Sequence, residues 1–278
     1  MLIFNYAPMY GIIIAFKEYS IIKSLAEVPW VGLKWFKEVF LDENFLPVMK
    51  NTLGISGLKL LIGFPLPIVF AILLNEIRQA KFKRIVQTIS YLPHFLSWVI
   101  LGGIIMAWLA DTGVVNEWME MINPNHQAVN YMAKPQYFWF IAVFSEIWKE
   151  LGWNAIIYLA AISGIDPEMY EAARVDGANR FQKIWYITLP SIKGTISILL
   201  VLAVANLLAT NFEQILVLKN ALNQTTAEVI DTYVYRMGIQ AGRYSYATAA
   251  GLFKAVVALI LLVSANKVTK KLTGHGLY

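Results

Sequence analysis

Glu146, Lys149 and Glu150 lie inside an apolar stretch running from about 137 to 163. Ionisable side chains in such a stretch are costly unless they face a helix-bundle interior or water. On a helix Glu146 and Glu150 are four residues apart and Lys149 is three after Glu146, so all three share a face and can pair. Asn154 continues that face one turn on, with Trp148 and Trp153 beside it. Lys59, Glu213 and Lys254 sit in other apolar stretches, and Asn206 and Asn211 add amides near Glu213. Amides and carboxylates that hydrogen-bond hydroxyls, with an aromatic ring to cover a pyranose face, make up chemistry suited to holding a sugar. The candidate path is therefore Glu146, Lys149, Glu150, Trp153, Asn154, Asn206, Asn211 and Lys254. For the charges a structural reading, ion pairs between helices, stands equally beside it, and each tryptophan taken alone is read first as part of an interfacial belt. Lys254 either meets an acidic sugar or neutralises a glutamate. Catalysis finds no footing. No serine or carboxylate pair falls into a catalytic arrangement, and His94, His126 and His275 lack a carboxylate or a second histidine at ligand spacing. No metal site is expected. The absence of cysteine removes disulfides, thiolate ligands and thiol nucleophiles.

The elements that carry these residues are membrane spans. Of 278 residues 58% are hydrophobic and only 15% charged, a balance that points to lipid. Judged against the ~20 residues that cross a bilayer, the spans run about 1–16, 46–75, 85–110, 137–163, 190–215 and 244–267. The expectation is an all-α, polytopic membrane protein of about six transmembrane helices forming a single domain over 1–278. The first span is short and interrupted by Asn5 and Pro8, as expected either if the natural chain begins earlier or if the helix is the end of a longer one. Met1 has no basic region behind it, so no cleaved signal peptide is expected. Pro65, Pro67, Pro93 and Gly102-Gly103 are helix disruptors within spans.

Basic residues set the orientation. Arg78, Lys81, Lys83 and Arg84 crowd one short turn, and Lys267, Lys270 and Lys271 the tail. The positive-inside rule puts both in the cytoplasm. Both termini and the loop 164–189 then lie inside, with 17–45, 111–136 and 216–243 outside. The net charge of +5 falls in such clusters, not on one extended face, which argues against nucleic-acid binding.

The loop 164–189 has a grammar of its own. Asp166 is placed to cap a helix that Pro167 opens, and Glu168 and Glu171 follow where the helix dipole favours negative charge. Gly177 ends that helix, a second one from about Arg180 to Tyr186 follows, and Pro190 opens the fifth span. Two short helices with apolar and charged groups off a membrane need either a partner or the membrane surface itself to cover them.

Glu171-Ala172-Ala173, three residues, Gly177, nine residues and Ile187-x-Leu189-Pro190 together resemble the signature loop of ATP-binding-cassette importer permeases. Tyr170, Asp176 and the ending from Trp185 to Pro190 resemble its carbohydrate-importer version. The runs Pro8–Tyr19, Pro29–Leu33, Asn51-Thr52-Leu53, Gly63-Phe64-Pro65, Leu73–Glu76 and Tyr91-Leu92-Pro93 are similar to a subgroup handling complex oligo- or polysaccharides. The resemblance implies an ATPase-coupling loop formed by Glu171, Ala172, Ala173, Asp176, Gly177, Ile187, Leu189 and Pro190. It further implies a heterodimer with a second, homologous permease subunit, two cytoplasmic ATPase subunits carrying ATP and Mg, an extracellular solute-binding protein, and a cell-membrane location. Having no G-x-x-x-x-G-K-[ST] phosphate loop, the chain cannot cradle ATP in that way and is expected to bind no cofactor and to catalyse no reaction. The same architecture carrying a non-sugar solute, or an ion-coupled transporter using Glu146 and Lys149, remain as alternatives.

Overall fold

The computed structural model describes residues 6–274 and 276–277; the expectations for Met1–Asn5 of the first span and for His275 lie outside them. The named elements of the described residues are all helices, joined by turns and irregular segments, with one isolated antiparallel bridge between Lys17 and Trp30. Among the described residues three helical stretches are long and apolar enough to cross a membrane: Phe45–Glu76, Trp98–Ile122 and Tyr244–Thr273. The pair Arg180–Ser191 and Lys193–Ala205, bent by 64°, supplies a fourth if counted as one span. Phe138–Ser163 has 26 residues, about 39 Å of helix, but it carries Glu146, Lys149 and Glu150. Ala7–Phe16, a ten-residue 3₁₀ helix, is the described part of the first predicted span.

Three boundaries differ from expectation. The stretch 85–110 is not one helix: Ala80–Tyr91 ends, Leu92–Phe95 turns as 3₁₀, and a new helix starts at Trp98. Pro93 makes that break, whereas Gly102-Gly103 passes through the following helix without one. The apolar span counted from Trp98 then runs on to Ile122, through a turn at 110–113 between the helices Trp98–Leu109 and Val114–Ile122, into the segment expected to be extramembrane. Pro190 does not open the fifth span; it lies in the turn Leu189–Ser191, before the bend, and the span starts at Lys193. Two π-turns, Lys59–Gly63 and Ile184–Thr188, each stand just before a proline, Pro65 and Pro190. A proline has no N–H for the carbonyl four residues back, and a widened turn accommodates the loss.

The chain gathers into two compact units, each made of three separate stretches. Residues 1–56, 102–142 and 207–260 form one; 57–101, 143–206 and 261–278 form the other. Four of the boundaries fall inside continuous helices, so no linker divides them.

The first unit contains the segments predicted to lie outside. Its core gathers Val39, Phe45, Val48, Ile230, Tyr233 and Tyr246. Asn51 and Thr52 are buried and tie the second span to the loop before residue 230. The Asn51 amide donates to the Thr225 and Glu228 carbonyls at 2.9 and 3.0 Å, and the Thr52 hydroxyl accepts from the Ile230 N–H at 2.8 Å. Arg236 grips Glu228 through two bonds of 2.8 and 3.0 Å, a fork that supplies geometry as well as charge. Asp42 accepts from both tyrosine hydroxyls and from the Asn44 N–H. Burial pushes the Asp42 carboxyl upward, but the bonds from Asn44, Tyr233 and Tyr246 outweigh it and hold the group below its ordinary value.

The second unit packs Ala71, Leu74, Ala155, Tyr158, Ile162 and Ile192 into its core. Gly152 marks a close approach of two helices there. A Cβ at this position would stand 2.2 Å from the Ser90 carbonyl oxygen and 2.5 Å from its carbon. Backbone cannot swing aside as a side chain can, so Gly152→Ala must part the two helices. We expect a loss of about 2–3 kcal/mol, the usual cost of overpacking, read as a lower unfolding temperature of the detergent-purified chain.

Candidate functional site

Two features of the second unit carry functional geometry. In the first, the loop 164–189, the carboxylate of Asp166 caps the helix Pro167–Val175 by accepting from the Glu168 N–H at 3.0 Å. That helix closes in a Schellman motif: the Gly177 N–H bonds to the Arg174 carbonyl at 3.2 Å and the Ala178 N–H to the Ala173 carbonyl at 2.8 Å. Gly177 holds φ +78°, the left-handed conformation that the motif needs. Asn179 then caps the next helix in a reciprocal box with Gln182, at 2.7 and 2.9 Å. The Tyr170 hydroxyl meets that of Thr188 at 2.9 Å and ties the first helix to the π-turn Ile184–Thr188.

The spacing of the loop now has physical content. Ile187 is buried and Leu189 packs on the core with Ile184 and Ile192, so the I-x-L-P end is the loop's anchor. Ala173 is half-buried; Glu171, Ala172, Asp176 and Pro190 are exposed. The outer face is conspicuously apolar. Val175 is 89% exposed, Tyr186 79%, Phe181 75% and Trp185 66%. Such side chains on both helices and the π-turn form a surface of the kind that protein partners cover.

In the second feature, intramembrane charges surround the break at Leu92–Phe95. Lys149, 6% exposed, donates to the carbonyls of Pro93 and His94 and lies 3.7 Å from Glu150. The freed backbone of the break is thus satisfied by an ammonium. Glu150 accepts from His94 Nδ1 at 2.8 Å when that nitrogen bears the proton. The His94 ring stacks on Trp153 at 4.2 Å with an interplanar angle of 1°, and Phe95 meets Trp153 edge-on. Glu146 pairs with Lys59, not with Lys149 as the one-face argument expected.

His94 is the residue that sequence reasoning missed. It is not isolated from carboxylates, because the fold brings Glu150 to it across 56 positions. The available signal was a titratable side chain beside a proline break in an apolar span. His126 is held by Asn116 Oδ1 at 2.9 Å. Among the described residues no cluster of histidine and carboxylate could hold a metal ion.

Other predicted path residues lie apart from this cluster. Lys254, in the first unit, neutralises Asp231 and no glutamate, and Asp231 also accepts from the Thr210 N–H and hydroxyl. Asn211 caps the helix Phe212–Leu218 through a 3.2 Å bond from the Gln214 N–H. Asn206 ends the helix Lys193–Ala205 and is exposed, as are Asn154 and Glu213.

A loop of this construction, set between apolar helices, matches a known kind of protein. Residues 63–274 match the family model of the binding-protein-dependent transport system inner membrane component. The chain belongs to that family. Across its full length it is 44% identical to Protein LplB of Bacillus subtilis, covering 87% of that protein. It is 45% identical to the same organism's polygalacturonan/rhamnogalacturonan transport system permease protein YteP, covering 86% of it. A crystal structure of a bacterial ABC transporter that imports the acidic polysaccharide alginate is similar at a TM-score of 0.90 and 45% identity, over 98% of this chain and 91% of that one. The chain is therefore a multi-pass inner-membrane permease subunit of an ABC importer, and no enzyme in itself. An independent ion-coupled transporter is excluded by that membership.

Proposed function

We propose that this permease subunit passes a complex oligo- or polysaccharide through the membrane by alternating access, and that separate cytoplasmic ATPases drive it through the loop 164–189. The observation that carries this is the double-helix loop, capped at both starts, locked at Gly177 and apolar on its exposed face. Glu171, Ala172, Ala173, Asp176 and Gly177 form the coupling helix and its stop; Ile187, Leu189 and Pro190 transmit its displacement to the core and the bent helix beyond. ATP and Mg belong to two partner ATPase chains. A second, homologous permease subunit completes the pore, and an extracellular solute-binding protein delivers the sugar. Both termini and this loop lie in the cytoplasm, a reading supported by the basic clusters.

The substrate class rests on the relatives' sugars together with the polar cluster. Trp153 keeps one face free of His94 and is 42% exposed, while Asn154 beside it is exposed. Stacked ring and amide suit a pyranose. Glu146, Lys149 and Glu150 pair structurally first, and Asn206, Asn211 and Lys254 complete the proposed path.

The decisive experiment reconstitutes the permease with its ATPases and binding protein. Acidic or pectin-type oligosaccharides loaded on the binding protein should stimulate ATP hydrolysis several-fold, while amino acids and peptides should not. Solute uptake by this chain alone, without ATP, would sink the proposal.

A further inference from the structure

We propose that the helix Ala80–Tyr91 binds the headgroup of an anionic phospholipid between Lys81 and Arg84, with an acyl chain lying along Phe82, Ile85, Ile89 and Leu92. The positions carry the argument. Phe82, Ile85, Ile89 and Leu92 fall on one face at intervals of three and four residues, and each is more than half exposed. Lys81 and Arg84 are exposed, three residues apart, on the edge beside that face and at its N-terminal end. Among the described residues the side chains of Arg78, Lys81, Lys83 and Arg84 make no ion pair or hydrogen bond. No aspartate or glutamate occurs between Glu76 and Asp111, and Glu76 pairs with Arg180. The cations thus have no internal counter-charge. Gln79 supplies no side-chain cap, so the first-turn N–H groups and the positive end of the helix dipole point the same way.

Lipid is the occupant that fits every part of this surface. A free phosphate would use the cations but leave the apolar stripe uncovered. A soluble protein partner would not reach four apolar positions that run into the proline-broken span. A diacyl phospholipid with net negative charge covers both, its phosphate oxygens held by the planar fork of Arg84 and the ammonium of Lys81. The site needs no particular sidedness of the membrane, so it stands apart from the ATPase-coupling reading.

The test uses the assembled importer purified from membranes containing phosphatidylglycerol, followed by native mass spectrometry. Wild type should retain phosphatidylglycerol, and K81Q/R84Q should bind it about tenfold or more weakly, whereas K81R/R84K should bind as wild type. Phosphatidylcholine should not compete, nor should millimolar inorganic phosphate. Competition by inorganic phosphate would show a free-anion site and overturn the proposal. Loss of ATPase subunits in K81Q/R84Q, with lipid retained, would assign the patch to the ATPase and overturn it too. Independently of any variant, a photoactivatable phosphatidylglycerol should label residues 80–92 of the wild-type chain; labelling confined to other segments refutes it.

Discussion

Transport by the assembled importer is expected to fall about tenfold or more when Gly177 becomes valine, with the chain still inserted and folded. Space is not the reason, because a Cβ at Gly177 would meet nothing within 4 Å. The cost is conformational. At φ +78° an L-residue carries about 1–2 kcal/mol of strain, and a β-branched one carries more. That is enough to shift the Schellman closure by a factor of about 5–30. Losing it frees the Arg174 and Ala173 carbonyls and lets the first helix run on toward Asn179, whose own cap then moves. The consequence falls on the angle between two helices and leaves the hydrophobic core alone. Gly177→Asn separates the possibilities, since asparagine tolerates the left-handed region. It should restore most of the transport that valine removes. Equal transport in valine, asparagine and wild-type forms, with normal ATPase co-purification, would show that the loop's geometry is irrelevant to drive. Glu171→Lys probes the exposed surface by charge: it should weaken ATPase attachment while leaving the Schellman bonds in place.

Which features were legible in the sequence follows the range of the interactions. Asp166, Pro167 and Gly177 were readable because caps and helix stops are set by neighbours within a few residues, whereas Pro190, read as the start of a span, sits in a turn before the bend. The long spans were readable because hydrocarbon thickness imposes a length that composition reports. What composition could not show is where an apolar run breaks. Pro93 and Gly102-Gly103 look alike as disruptors, but only the proline removes an N–H, and the helix passes straight through the glycines. Pairing among the charges was the least legible. Glu146 and Lys149 share a helical face, but Glu146 turns to Lys59 and Lys149 turns to the broken backbone at His94. Both partners come from other helices, so spacing along one helix had no access to them. Asp231 and Lys254 make the same point: no pattern links a residue in a polar segment to a lysine 23 positions on.

The partners of Lys149 also decide between the two roles left open for it. Lys149→Met should lower the unfolding temperature by on the order of 10 °C, from about 3–5 kcal/mol lost on breaking a buried pair. Three groups lose their donor together: the Glu150 carboxylate and the carbonyls of Pro93 and His94. Removing the carboxylate as well, in K149M/E150L, should recover only part of the loss, because the two carbonyls stay unsatisfied at the helix break and His94 forfeits its own partner. A pure substrate contact makes the opposite prediction: unchanged thermal stability, with transport reduced through weaker sugar stimulation of ATP hydrolysis. The neighbouring ring provides the internal comparison. Trp153 stacks on His94 from an exposed position and holds no charge, so Trp153→Ala should cost little stability and should instead reduce sugar-stimulated turnover. If Lys149→Met leaves the melting temperature within a degree of wild type, the ammonium is not the latch of the break. If Trp153→Ala leaves sugar stimulation intact, the aromatic face lies off the path.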